Sequence, residues 1–208
     1  MPYLSEFLTV AVVHLFAVAS PGPDFVMISR NILHSRKAGL FSAIGLALGI
    51  LVHVTYSLVG IGLVISQSIL LFSILKFLGA GYLIYLGYKS LRSRPKFSVR
   101  NEQEQQNVLG AIAAIRIGFL TNVLNPKVTL FFLALFTQVI SPDTPKVVQA
   151  LYGLEMSTMT FVWFALVATL LSHRKVKERF SFMQHHLQRA FGAVLIALGI
   201  KVALSSSK

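Results

Sequence analysis

Two short stretches hold the residues of this chain whose types and spacing could do chemistry. One is Ser20-Pro21-Gly22-Pro23-Asp24, which sets two prolines, a glycine and a carboxylate inside an apolar run. The other is Asn125-Pro126-Lys127, an amide, a proline and a cation in a similar run. Upstream of the first, Leu4 to Ala19 is interrupted only by Ser5, Glu6, Thr9 and His14; downstream, Phe25-Val26-Met27-Ile28 resumes the apolar character before Arg30, Arg36 and Lys37. The break therefore lies within one membrane crossing and not between two. Each proline removes an amide donor and costs a helix interior about 3 kcal/mol. In lipid, interrupted backbone is tolerated only where it lines a protein-enclosed or water-filled cavity, so both stretches point to a site.

A helix restarting at Pro23-Asp24 presents free amides and a positive dipole end, while the half before it ends in free carbonyls near Val18 to Ser20. Such a pair of ends suits a zwitterion, with its carboxylate on the amides and its ammonium on the carbonyls and Asp24. At the second break Asn125 is the expected helix cap, Thr121 and Asn122 are polar neighbours, and Lys127 supplies a cation. An ionisable side chain near the bilayer centre costs roughly 2.5 to 3.5 kcal/mol, so Asp24 and Lys127 each need a partner and are candidates to serve one another. Against this stands the plainer reading, in which Asp24 only caps a helix and Lys127 only extends to the interface. Asp24 and Glu155, a carboxylate inside a later apolar run, are the candidates for proton coupling. His14 and His53 read as packed or hydrogen-bonded residues, and Trp163 and the phenylalanines as lipid-facing or interfacial ones.

The elements that position these residues are membrane helices. Hydrophobic residues make up 55% of the chain and charged residues 12%, with a mean hydropathy of +0.71, against about 25% charged in an ordinary soluble protein. The reading is an all-α polytopic membrane protein, a single transmembrane domain over residues 1–208. Six spans are expected: about Leu4–Asn31, Leu40–Ile65, Leu71–Tyr88, Ile115–Ile140, Val147–Leu171 and Ala190–Leu204, the first and fourth interrupted. Span 2 contains Gly45 and Gly49, the G-x-x-x-G spacing that lets helices approach closely. Residues 89–106 read as a polar, partly disordered loop. Ala17-Val18-Ala19 has the form of a signal-peptide cleavage site, but Glu6 stands where a basic segment belongs and Pro21 follows too closely, so the first run reads as an uncleaved span.

The net charge of +12 does not imply nucleic acid, because the basic residues sit in short loops and not on a surface with interleaved aromatics. Of 19 Lys and Arg residues, 14 fall after spans 1, 3 and 5, which places those loops in the cytoplasm and both termini outside. The absence of cysteine excludes disulfides, thiolate metal sites and cysteine nucleophiles.

Leu83-Ile84-Tyr85-Leu86-Gly87-Tyr88-Lys89 and Leu195-Ile196-Ala197-Leu198-Gly199-Ile200-Lys201 share the pattern L-I-x-L-G-x-K, 112 positions apart. The two proline breaks are separated by a similar distance, Pro21 to Pro126 being 105 positions. The expectation is two inverted three-helix repeats, about 1–90 and 111–208, joined by a cytoplasmic loop over about 90–110; interrupted helices then meet near the midplane, as in secondary transporters.

Ser20-Pro21-Gly22-Pro23-Asp24, Gly79 to Lys89, and Gly118-Phe119-Leu120-Thr121-Asn122-Val123-Leu124-Asn125-Pro126-Lys127 followed by Leu130-Phe131-Phe132 resemble the LysE/RhtB amino-acid exporter family, near its homoserine and threonine efflux branch. The resemblance covers essentially the whole chain. It implies a bacterial inner-membrane exporter of an amino acid or small derivative, driven by proton antiport. It carries Pro21, Gly22, Pro23, Asn125, Pro126 and Lys127 over as site positions, with Asp24 fitting the P-G-P-D form of the efflux branch. Val128 and Thr129 depart from the small residues often found after N-P-K. The substrate-binding set is thus Pro21, Gly22, Pro23, Asp24, Asn122, Asn125, Pro126 and Lys127. No cofactor is expected; the partners are a small amino-acid cargo, protons and the bilayer, with a homo-oligomer left open. Two other classes compete with this reading. A divalent-cation exporter would use His14, His53, Asp24 and Glu155, yet no two ligands stand one helical turn apart. A membrane-embedded enzyme lacks H-E-x-x-H, G-x-S-x-G or a clustered carboxylate motif.

Overall fold

Backbone amides and carbonyls find no water in lipid, so a chain this apolar satisfies them within helices. The computed structural model describes residues 3–67, 69–92, 109–141, 143–171 and 174–204, and their regular structure is entirely helical. The helices are α1 (Leu4–Ala19), α2 (Pro23–His34), α3 (Arg36–Gln67), α4 (Ile69–Arg92), α5 (Ala111–Val123), α6 (Pro126–Gln138), α7 (Lys146–Leu170) and α8 (Arg174–Leu204). Both proline stretches interrupt a helix where expected. α1 and α2 are bent by 55° across the first break, and α5 and α6 by 57° across the second. Two single helices, α3 over Arg36–Gly60 and α7, are long and apolar enough to cross a membrane, and each bent pair meets the same measure when taken as one span.

Two expectations shift. The basic segment after α7 is not a separate connection: α8 runs as one helix of 31 residues from Arg174 to Leu204. Arg, Lys, Glu, Gln and Leu are good helix formers, and no proline or glycine interrupts them before Gly192. The loop expected over 89–106 begins later than its charge implied, because 89–92 complete α4. Its remainder falls outside the described residues.

α3 is the central helix, packed chiefly on α5 and α7. Its glycines permit this. Gly45 lies against the Ile115 carbonyl and Phe119, Gly118 of α5 lies against the Ser42 carbonyl, and a methyl group built at Gly49 would meet Asn122 Oδ1 at 2.6 Å. On the other side Gly153 of α7 rests on Val54, and the Ser157 hydroxyl donates to the Ala47 carbonyl at 2.8 Å.

α4 packs along α8. Gly87 faces the Gly192 carbonyl and Ile196; Gly199 faces the Ala80 carbonyl and Ile84, and a methyl built at either glycine would lie 2.6 Å from the facing isoleucine. The offset of 112 positions pairs Ala80 with Gly192, Ile84 with Ile196 and Gly87 with Gly199. The contact therefore maps onto itself when the two segments are exchanged, the property of a two-fold interface.

The main apolar core draws Val10 and Val13 from α1, Ile50 and Val54 from α3, Leu83 from α4, Phe132 and Leu135 from α6, Met156 from α7, and Phe191 and Leu195 from α8. A second cluster joins Phe25 and Ile28 of α2 to Leu46 of α3 and Phe164 and Val167 of α7. Trp163 packs against this second cluster, and so is less lipid-facing than expected. Leu8, Val26, Leu78, Leu124, Val147 and Leu154 point outward, an apolar exterior that suits lipid and not water.

Candidate functional site

The two breaks face each other. At the first, Ser20 ends α1 in an extended conformation and Gly22 continues extended, with φ −171° and ψ −170°, before Pro23 opens α2. Proline suits a first helical position, where its missing amide would have had no partner. At the second, the Asn125 side chain caps α6 as expected, accepting from the Lys127 amide at 3.0 Å, and Pro126 is the first helical residue. α2 has no equivalent side-chain cap.

Asp24 and Lys127 do not take one another as their nearest partners. The Asp24 carboxylate accepts two side-chain amides, from Asn122 to Oδ2 at 2.8 Å and from Asn125 to Oδ1 at 3.0 Å. Lys127 Nζ donates to Ser20 Oγ at 3.0 Å and reaches the Ser20 carbonyl at 3.4 Å. It also lies 5.0 Å above the Phe191 ring, a cation–π arrangement. The lysine ammonium thus rests at the carbonyl end of α1, the place that the sequence assigned to a cargo ammonium. The α5–α6 bend carries two asparagine amides to the carboxylate, while the lysine chain extends across the break to α1; the two charges still act on each other without a direct hydrogen bond.

The asparagines are themselves held. His53 Nε2 lies 3.0 Å from the Asn122 carbonyl, which can only accept, so this nitrogen carries the proton. Its Nδ1 therefore accepts from the Tyr56 hydroxyl at 2.7 Å, and the Thr129 carbonyl, 3.3 Å from that hydroxyl, is the alternative acceptor for the same proton. The His53 ring stacks on Phe132 with centroids 5.5 Å apart. His53 therefore ties α3 to the end of α5 and, through Asn122, to Asp24.

Ser20, Asp24, Asn122, Asn125 and Lys127 line one cavity of about 40 Å³, with His53 and Tyr56 behind the wall, larger than the roughly 10 to 15 Å³ that a single water requires. Of the residues read from the sequence, Gly22, Asp24, Asn122, Asn125 and Lys127 line it. Pro21, Pro23 and Pro126 do not; Pro23 and Pro126 are exposed and shape the breaks from outside. Glu155 is also absent from the lining, and its Oε2 is buried without a partner. Ser20, His14, Phe131, Phe132, Thr160 and Phe164 also stand on the wall; none of them was among the binding residues expected from the sequence.

A cavity built from the facing ends of two broken membrane helices, with a resident carboxylate and ammonium, is the construction of a membrane transporter and not of an enzyme. The LysE type translocator family matches residues 15–206, and the chain belongs to it. The chain is 31% identical to the uncharacterized membrane protein YrhP of Bacillus subtilis, over 90% of its own length and 93% of the relative's. It is 28% identical to the threonine efflux protein of Escherichia coli, over 97% and 99% of the two lengths. The threonine efflux protein of Salmonella typhimurium is 29% identical over 96% and 98%. No solved structure gives a significant match.

Proposed function

We propose that this protein exports an amino acid or small derivative, threonine- or homoserine-like, from the bacterial cytoplasm across the inner membrane by proton antiport. The observation that carries the reading is the convergence of both breaks on one cavity that already holds a carboxylate and an ammonium on neutral partners. A free amino acid brings the complementary pair. Its ammonium takes the Asp24 carboxylate and its carboxylate takes Lys127, so cargo and resident charges neutralise each other away from water, where an unpaired ion is costly. Relatives described as threonine efflux proteins, aligned over nearly their whole length, support the cargo class.

Asp24 is the proton carrier in this reading. A carboxylate that binds either a proton or a cargo ammonium couples the two, because one displaces the other. Glu155 is a second candidate, outside the cavity. The chain is arranged as six spans in two inverted repeats, about 1–90 and 111–208, with the basic loops cytoplasmic and both termini periplasmic. The self-exchanging contact between α4 and α8 and the similar bends of the two broken pairs support that arrangement. The alternative of divalent-cation export is disfavoured: among the described residues no three His, Asp or Glu side chains are grouped to hold a metal ion.

The test is transport in vesicles reconstituted with the purified protein. Threonine or homoserine movement that accelerates under an imposed pH gradient is the expected result. Threonine and homoserine flux equal to that of protein-free vesicles, with divalent cations moved instead, would overturn it.

A further inference from the structure

The charged end of the cavity meets groups that every amino acid carries, so it cannot tell one amino acid from another. Discrimination has to come from the other polar groups on the wall. His14 is one. It stands six residues before Ser20 on α1, about 9 Å along the helix axis at 1.5 Å per residue. It is 2% exposed, its Nδ1 has no partner, and its Nε2 lies 3.4 Å from the Thr160 hydroxyl, longer than a good hydrogen bond. Thr160, on α7, is 1% exposed and lines the same cavity.

Around this pair the wall is aromatic. The His14 ring sits 6.3 Å from Phe131 and 6.1 Å from Phe132, with Phe164 also on the lining. Polar groups left unmet in such a wall cost more than apolar residues of the same shape. A ligand atom that both donates and accepts relieves that cost, because a neutral imidazole offers one donor and one acceptor and a threonine hydroxyl offers either.

We propose that His14 and Thr160 form the specificity subsite of the transporter, reading a hydroxyl on the side chain of the cargo. The assignment rests on the cavity being the amino-acid site. The chemistry selects a short neutral side chain bearing an oxygen. A cationic side chain would find no carboxylate on the lining at this end, and an apolar one would leave His14 Nδ1 unmet and the pair with only its long mutual contact. A site built to hydrogen-bond a hydroxyl discriminates strongly against the analogue without it, whereas an apolar pocket barely does.

Threonine and valine have nearly the same shape and differ by that hydroxyl, so their flux ratio is the measurement. In reconstituted vesicles loaded with both, the native protein exports threonine in preference to valine. Thr160→Val, which keeps the side-chain shape, and His14→Phe each lower the threonine-to-valine ratio about tenfold or more, the effect of losing one to two hydrogen bonds. Thr160→Ser restores the ratio. A native protein that moves both equally, or variants that transport with an unchanged ratio, would overturn the subsite. An at least tenfold fall of export in Asp24→Asn beside an unchanged ratio in Thr160→Val separates this failure from failure of the amino-acid reading, in which the native protein moves neither amino acid.

Discussion

Asp24 and Lys127 occupy the same register position in two different helices, each directly following a proline that opens its helix after a break. Their charges are opposite and their partners differ in kind. Asp24 accepts the two asparagine amides of the far break, and Lys127 crosses to the serine of the near one. Each break therefore supplies the charge whose partners lie on the other, which ties the two helices across the cavity.

The first prediction follows from the carboxylate. In Asp24→Asn the side chain keeps its shape but presents an amide to the amides of Asn122 and Asn125. Export is expected to fall at least tenfold, and residual flux to lose its dependence on an imposed pH gradient. Vesicle transport measured with and without the gradient checks both.

Lys127 is sharper still, because its chain is fitted to one path. A methyl built at Gly22 would lie 3.5 Å from Lys127 Nζ, an ordinary contact, so Gly22→Ala folds normally and exports at close to the native rate. Lys127→Met keeps the length and removes the charge, and is expected to abolish export. Lys127→Arg does not restore it, since a planar fork cannot take the place of a compact ammonium between Ser20 and Phe191. Transport rates of the three variants at matched protein levels decide the matter.

Gly49 gives a contrast within one residue type. A methyl there would lie 2.6 Å from Asn122 Oδ1 and 2.8 Å from its Cβ, so Gly49→Ala pushes α5 from α3 and Asn122 from Asp24. Overpacking of this kind costs about 1 to 3 kcal/mol. The variant is expected to lose export and some thermal stability together. Gly60 and Gly81 have nothing within 4 Å of an added methyl; Gly60→Ala and Gly81→Ala should keep transport and gain slightly in melting temperature.

His53 should matter without touching cargo. In His53→Leu the Asn122 carbonyl loses its donor, and an unmet buried acceptor costs about 1 to 3 kcal/mol. Reduced export with an unchanged threonine-to-valine ratio is the expected pattern. A changed ratio would place His53 in the cargo site.

The breaks were legible because prolines and charges in an apolar run are local anomalies that any reading of periodicity meets. The Asn125 cap was legible for the same reason, being a short polar residue directly before proline. His14 and Thr160 were not, since each looks like an ordinary minor interruption of a span, and only the packing of α1 against α7 brings them together. Phe131 and Phe132 entered only through the family motif and Phe164 not at all, and none was legible as a cavity residue: a helix apolar on all sides does not show which side faces a cavity. Asp24 and Lys127 act on each other through their charges, as expected, but their direct hydrogen bonds go to Asn122, Asn125 and Ser20, partners that only the facing of the two breaks brings within range. The continuity of α8 was obscured by its charges, which mark a loop in the positive-inside pattern yet favour helix locally.

The crossing of α4 and α8, where Gly87 and Gly199 exchange roles, bears on the cost of motion. When one half of such a molecule adopts the conformation of the other, every contact joining unlike positions must be broken and remade. A contact that is its own counterpart is spared, because the pair Gly87–Ile196 simply becomes the pair Gly199–Ile84. In the inverted-repeat arrangement proposed above, this crossing would be a fulcrum with no preferred side, and a bias between inward and outward states would have to come from elsewhere in the molecule.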